Sequence, residues 1–184
     1  MSSMVTVVGA GLAGSECALQ LARRGVRVRL IEQRPCRPSP AHHTDGFAEL
    51  VCSNSLKSTK PDSAAGLLKR ELDGMGSYLL DFARQCAVPA GGALAVDRER
   101  FSSLVTDAVC SNPLIDVTRQ EALDIPEGPC VIAAVPLCSE SLFAAVERAV
   151  GEGHMSFFDA AAPIVSAESI ALFFRFPLCG ALCL

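Results

Sequence analysis

The stretch Val5–Glu32, VTVVGAGLAGSECALQLARRGVRVRLIE, restricts the fold more than any other part of the chain. Val5, Val7 and Val8 make a short, uncharged, β-branched run, the pattern of a parallel strand buried on both faces. Gly9, Gly11 and Gly14 follow at Gly-x-Gly-x-x-Gly spacing, where the strand turns into a helix. In such a turn the first glycine permits the bend, the second admits a diphosphate to the backbone, and the third seats the helix against the sheet. Gly9, Ala10, Gly11, Leu12, Ala13 and Gly14 are therefore the candidate phosphate-binding turn, because the first N–H groups of a helix lack intrahelical partners and lie at the positive end of its dipole. The helix carries Ala18, Leu19, Leu21 and Ala22, has Arg23 and Arg24 in its last turn, and stops at Gly25. A second strand, Val26–Ile31, leads to Glu32. An acid at this place, about 20 residues past the glycines, accepts hydrogen bonds from an adenosine ribose and repels a 2′-phosphate. The plainer alternative is a βαβ unit whose glycines serve packing alone; the capped helix and the acid together favour a dinucleotide site.

With 184 residues the chain is the size of one domain with a substantial core. Its net charge of −4 gives no bulk signature of nucleic-acid binding, so any such role requires a local patch. Arg23, Arg24, Arg27, Arg29, Arg34 and Arg37 cluster in sequence, and on a helix end and a strand they read first as a solvated face. Nine cysteines without a Cys-x-x-Cys pair fit reduced thiols in a cytoplasmic compartment better than a disulfide framework or a zinc ribbon. The apolar Met4–Gly14 lacks the positive n-region of an export signal. No run of about 18 uncharged apolar residues is present, so no membrane segment is expected.

Beyond Glu32 the sequence QRPCRPSPAHHTDG is a proline-rich loop leaving the carboxyl end of a central strand, where open α/β sheets bind ligands. His42 and His43 match no zinc spacing, so no metal site is assigned; they are loop residues within reach of a ligand. In FAELVCSNSLKS, Cys52 ends an apolar segment, and Ser53, Asn54 and Ser55 suit a helix cap or hydrogen bonds to a ligand. Cys52 is either a buried structural cysteine or, beside exposed N–H groups, a thiolate nucleophile. Ala64–Leu72 and Tyr78–Cys86 have helical spacing, separated by Gly74-Met75-Gly76, and form a helical insertion over about 62–87. Pro89–Leu94 is expected to bring the chain back to the sheet. Asp97 is the N-cap of a helix Arg98–Cys110 whose buried stripe is Phe101, Leu104, Val105 and Ala108. Leu114–Thr118 and Glu121–Ile125 read as short strands or a hairpin, Cys130–Val135 as a buried strand, and Ser139 as the start of a helix ending at Gly151.

Three segments together, GAGLAGSE at Gly9–Glu16, PAHHTDGFAELVCSNSLKS at Pro40–Ser58 and VPAGGALAVDRERF at Val88–Phe101, resemble the TrmFO family, formerly Gid: folate- and FAD-dependent tRNA (uracil-5-)-methyltransferases. IPEGP at Ile125–Pro129 and SFFDAAAPIV at Ser156–Val165 extend the likeness in the same order. The resemblance implies a Rossmann-like FAD-binding α/β domain of the glutathione-reductase type, with inserted helices, and FAD in the Gly9–Gly14 site. It implies that a one-carbon unit from methylenetetrahydrofolate is reduced through the flavin and becomes the 5-methyl of the T-loop uridine in tRNA, NAD(P)H regenerating the flavin. It also matches Cys52 to a family cysteine implicated in catalysis. That fits the chemistry, since uracil C5 becomes nucleophilic once a thiolate adds at C6.

Three departures qualify the resemblance. Family members are longer and bring a second cysteine, with most of the tRNA and folate surface, from a part not found here. Ala134-Val135-Pro136 stands where the family has Ala-Thr-Gly, so Val135 adds a side chain where backbone would approach the cofactor. The likeness stops at Ala171. The expected organisation is thus an incomplete FAD-binding domain over 1–169 and an aberrant apolar tail over 170–184, from a truncated gene product. Two further readings are a non-catalytic dinucleotide-binding remnant and a flavin-dependent NAD(P)H oxidoreductase that does not act on RNA.

Overall fold

A computed structural model describes residues 4–39, 41–134 and 138–151. In chain order the first elements are β1 (Val5–Val8), α1 (Leu12–Arg23), β2 (Val28–Glu32), β3 (Ser55–Ser58), α2 (Ala64–Gly74) and α3 (Tyr78–Gln85). They are followed by β4 (Ala87–Val88), β5 (Ala93–Val96), α4 (Arg98–Cys110), β6 (Ile115–Arg119), β7 (Cys130–Ile132) and α5 (Glu140–Val150).

Four strands pair side by side in the order β6-β2-β1-β7, all parallel. Alternation along β1 and β2 divides their side chains between two cores. Val7, Val28 and Leu30 join Ala18 and Leu19 of α1 with Phe101 and Val105 of α4 on one face. Val8 and Ile31 meet Leu142 of α5 on the other. Each of these Val, Leu, Ile and Phe side chains, taken from water, contributes about 1.5–3 kcal/mol. Helices on both faces of a parallel sheet, with β1 flanked by β2 and by a strand that arrives much later, make the doubly wound arrangement expected from Val5–Glu32.

Helix ends follow the capping residues. Ser63, Ser77, Asp97 and Ser139 each accept a hydrogen bond from a first-turn N–H of α2, α3, α4 and α5. Helix α3 has a second anchor in Glu16 of α1. Its Oε1 accepts from Tyr78 N–H at 3.1 Å, and its Oε2 from Leu79 N–H at 2.9 Å and the Ser77 hydroxyl at 3.1 Å. A carboxylate at the positive end of α3 thereby locks the α2–α3 pair to the first helix of the sheet layer.

Several expected elements differ. Glu121–Ile125 is not a strand; Gln120 N–H already bonds Glu32 C=O beyond the end of β6, and the chain then leaves the sheet. The strand expected at Cys130–Val135 covers Cys130–Ile132 and is half-exposed, because β7 is an edge strand among the described residues. No helix follows Ser53-Asn54-Ser55; Ser55 opens β3 instead. Pro89–Leu94 does not return to the parallel sheet but closes the β4–β5 hairpin of a separate antiparallel sheet, ordered β3-β5-β4. Val135, Pro136, the segment Phe157–Val165 and the tail 170–184 lie outside the described residues.

Candidate functional site

A cavity of about 320 Å³ opens at the carboxyl ends of β1, β2 and β7. That is where the strand order reverses, and open α/β sheets bind ligands at this point. Three glycines shape its floor in different ways. Gly9 has φ +97° and lies so close under the exit of β7 that an added Cβ would meet Ala134 Cα at 2.8 Å. At Gly14 a Cβ would meet Gly9 O at 1.7 Å, so only glycine lets α1 sit this near the turn. At Gly11 a Cβ would meet nothing within 4 Å, which leaves open space over the backbone. Gly11 is also the N-cap of α1, supplies no capping side chain, and the first turn holds no acidic residue. The start of α1 therefore presents N–H groups toward the cavity with nothing of its own to neutralise them.

Of the residues singled out from sequence, Gly9, Gly11, Leu12, Ala13 and Glu32 line this one cavity. Gly14 and Ala10 are buried behind it. Ala10 is held on every side: its N–H donates to Glu32 Oε2 at 2.8 Å, and its C=O accepts from Ala48 N–H at 2.9 Å and the Ser15 hydroxyl at 3.1 Å.

Glu32 is 5% exposed. Its Oε1 accepts from Arg34 N–H at 3.1 Å and Arg34 Nε at 2.9 Å, while Oε2 accepts from Ala10. Burial pushes its carboxyl up, but the Arg34 and Ala10 hydrogen bonds and the guanidinium charge together hold it below the ordinary carboxylate range. Arg34, expected among solvated arginines, is 2% exposed. Its Nη1 donates to Glu49 Oε2 and to Thr44 C=O, both at 3.0 Å. Glu49 further accepts from His43 N–H, Thr44 N–H and the Thr44 hydroxyl; burial raises its carboxyl and these bonds bring it below the usual value. The other expected members of that arginine face, Arg23, Arg24, Arg27 and Arg37, are exposed, and Arg29 is half-buried.

Half-buried His42 also lines the cavity, its Nδ1 2.6 Å from the Ser39 hydroxyl. Burial and the nearby Arg34 charge lower its pKa, so the imidazole is neutral at pH 7. Cys52 is exposed and free among the described residues. It is not part of the cavity wall, although its neighbour Val51 is. Among the described residues no three His, Cys, Asp or Glu side chains group as metal ligands, and no helix is long and apolar enough to cross a membrane.

Sequence reasoning missed Arg34, Glu49, Gln120, Ala133 and Leu142 as cavity residues. Arg34 and Glu49 are opposite charges 15 positions apart in a polar loop, and only their fold-dependent approach distinguishes them from surface residues.

The parallel sheet, the tight glycine turn and the acid at the end of β2 define a Rossmann-like α/β domain. The family described as Glucose inhibited division protein A matches residues 4–173, and the chain belongs to that family. Among curated relatives it is similar to the methylenetetrahydrofolate–tRNA-(uracil-5-)-methyltransferase TrmFO of Bacillus subtilis, 54% identical over 166 residues that make up 90% of this chain and 38% of the relative. The TrmFO of Bacillus licheniformis is 52% identical over 170 residues, 92% of this chain and 39% of the relative. The chain thus spans less than two-fifths of the length of these relatives. Among solved structures, Aquifex aeolicus GidA aligns with a TM-score of 0.53 at 19% identity, over 67% of this chain and 20% of that one, a likeness of fold.

Proposed function

We propose that this chain supplies the FAD-binding part of a folate-dependent tRNA (uracil-5-)-methyltransferase. The observation that carries the reading is the uncapped start of α1, open at Gly11 and facing the cavity that Glu32 also lines. These residues fit an adenine-linked diphosphate. Backbone N–H groups at Gly11, Leu12 and Ala13 suit phosphate oxygens, and the remaining acceptor capacity of Glu32 Oε2 suits a ribose hydroxyl. Gly9, Ala10 and Gly14 hold the turn in shape around them. The cavity volume is at the low end of the roughly 300–1,000 Å³ typical of small-molecule sites, enough for the adenosine diphosphate half.

FAD held by Gly11, Leu12, Ala13 and Glu32 would supply, when reduced by NAD(P)H, the hydride that a methylene-level one-carbon unit needs to become a methyl group. Cys52 is the nucleophile for the RNA base: its thiolate adds to uracil C6, and the electron pair displaced to C5 attacks the methylene carbon as that carbon's bond to a folate nitrogen breaks. The C5 proton leaves to a base, and Cys52 is expelled from C6 as thiolate when hydride reaches the former methylene carbon. The exposure of Cys52 and its place directly after the cavity residue Val51 support this role. The tRNA and folate contacts belong to the whole enzyme. The test is the visible spectrum of the purified chain, together with methyl transfer to a tRNA transcript lacking the T-loop methyl, with methylenetetrahydrofolate present or omitted, by this chain joined to the remaining part of a TrmFO relative. Yellow protein that releases FAD on denaturation is expected; colourless protein that takes up no FAD removes the reading.

A further inference from the structure

Arg34 is a cation directly beside the candidate ribose acceptor, and a cation there would ordinarily suit a 2′-phosphate. Its bonding excludes that use. The guanidinium is 2% exposed and spans two carboxylates, Nε to Glu32 Oε1 at 2.9 Å and Nη1 to Glu49 Oε2 at 3.0 Å, with Thr44 C=O on Nη1 as well. One cation between two anions leaves the cluster net negative. The fork geometry also has a directional effect that a point charge would lack. Arg34 N–H and Nε together fill Oε1, Ala10 N–H takes one site on Oε2, and the carboxylate is thereby left with a single orientation and one remaining acceptor position on Oε2.

We propose that Arg34 is the positioning residue for ribose recognition: itself anchored on Glu49, it holds Glu32 Oε1 while Ala10 N–H holds Oε2, and so makes the site select adenosine diphosphates with free ribose hydroxyls and reject 2′-phosphorylated ones. This rests on the dinucleotide reading of the cavity. Without the guanidinium, Glu32 and Glu49 face each other with no counter-charge, and the acceptor turns away or takes up a proton.

The test uses the flavin-free 184-residue chain and calorimetric titration with ADP, 2′,3′-dideoxy-ADP and 2′-phospho-ADP. The native chain is expected to prefer ADP over the dideoxy compound, and over the 2′-phosphate, by about tenfold or more, the value of one hydrogen bond to a charged group. Arg34→Met should erase the hydroxyl preference, lowering ADP affinity more than dideoxy-ADP affinity, because dideoxy-ADP feels only the loosened hold of Glu32 on Ala10. Arg34→Lys should keep only part of the preference. A variant that weakens ADP and dideoxy-ADP equally, or retains the full preference, overturns the proposal, as does native affinity for 2′-phospho-ADP equal to that for ADP. Should circular dichroism show Arg34→Met unfolded, Arg34→Lys decides: an unchanged preference overturns the proposal and a reduced one supports it. A native chain that binds no ADP at all removes the dinucleotide reading and this inference with it, whereas loss confined to the variants' selectivity leaves the former standing.

Discussion

Alanine at Gly14 and alanine at Gly11 are the same chemical change three residues apart, and the structure assigns them opposite consequences. A Cβ on Gly14 would lie 1.7 Å from Gly9 O, 2.9 Å from Gly9 C and 3.3 Å from Ala133 Cβ. The nearest neighbours are backbone atoms of a turn fixed by Gly9 N–H on Ile31 C=O and Ala10 N–H on Glu32, so no side chain can swing aside. Restoring an ordinary carbon–oxygen separation of about 3.3 Å moves the first turn of α1 by roughly 1.6 Å. Overpacking costs about 1–3 kcal/mol where side chains can yield, so Gly14→Ala should cost about 3 kcal/mol or more. In urea unfolding followed by circular dichroism, that lowers the midpoint by about 1–3 M at the slopes usual for such domains. Gly11 has φ −70° and free space where the Cβ would go, so Gly11→Ala should change stability by less than about 1 kcal/mol. The same methyl group occupies the approach to the first N–H groups of α1, and ADP affinity should fall by about tenfold or more, as for loss of a charge-assisted hydrogen bond. Native stability in Gly14→Ala refutes the close seating of α1; unchanged ADP binding in a folded Gly11→Ala refutes the assignment of phosphate to this turn.

Further outcomes follow from the same contacts. Glu16→Ala strips Tyr78 N–H, Leu79 N–H and the Ser77 hydroxyl of a shared carboxylate and should cost about 2 kcal/mol, with earlier amide exchange in α3 than in α4; equal exchange in both helices counts against the anchor. Glu32 and Glu49 both titrate below the ordinary carboxylate value of about 4.3, so in acid the unfolded chain takes up protons first. Their contribution is complete above that value and is lost as pH falls through the lower folded values. Acid titration should therefore show a stability loss below about pH 4.3 that is smaller in Arg34→Met, whose folded Glu32 carboxyl no longer titrates below the unfolded value; identical acid limbs argue against the clamp. Cys52→Ala, at an exposed position, should leave stability within about 0.5 kcal/mol and ADP binding unchanged; on the proposed reading it abolishes methyl transfer once this chain is joined to the remaining part of a TrmFO relative, and transfer retained there removes Cys52 from the chemistry.

The β1–α1–β2 unit was readable because its determinants are local: β-branched runs, glycines at the turn, and a helix closed by arginines and Gly25. The same holds for α4 and α5, whose starts at Asp97 and Ser139 follow from capping chemistry within a few residues. The antiparallel sheet was not readable. Its strands are short and serine- or alanine-rich, and β3 pairs with β5 across more than 30 residues, so partner choice rather than local preference makes the strand. In the candidate site, Glu32 was legible from its distance to the glycines, whereas Arg34 was not. An arginine in a polar loop reads as solvated until the fold brings Glu49 to it, and only then is its burial compensated. Strand β7 carried the apolar composition of an inner strand, yet Val131 is 38% exposed, since burial depends on what lies beside it and not on composition.

The Ala10 peptide has a consequence for anyone who would transplant this turn. Its two polar atoms are spoken for by Glu32 at the far end of the next strand, by Ser15 inside the helix, and by Ala48 in a segment nearly forty residues on. Six residues copied into a foreign scaffold would bring the spacing without those three correspondents. The hexapeptide is therefore a junction where distant parts of the chain meet, and a working graft has to carry its remote neighbours along with it.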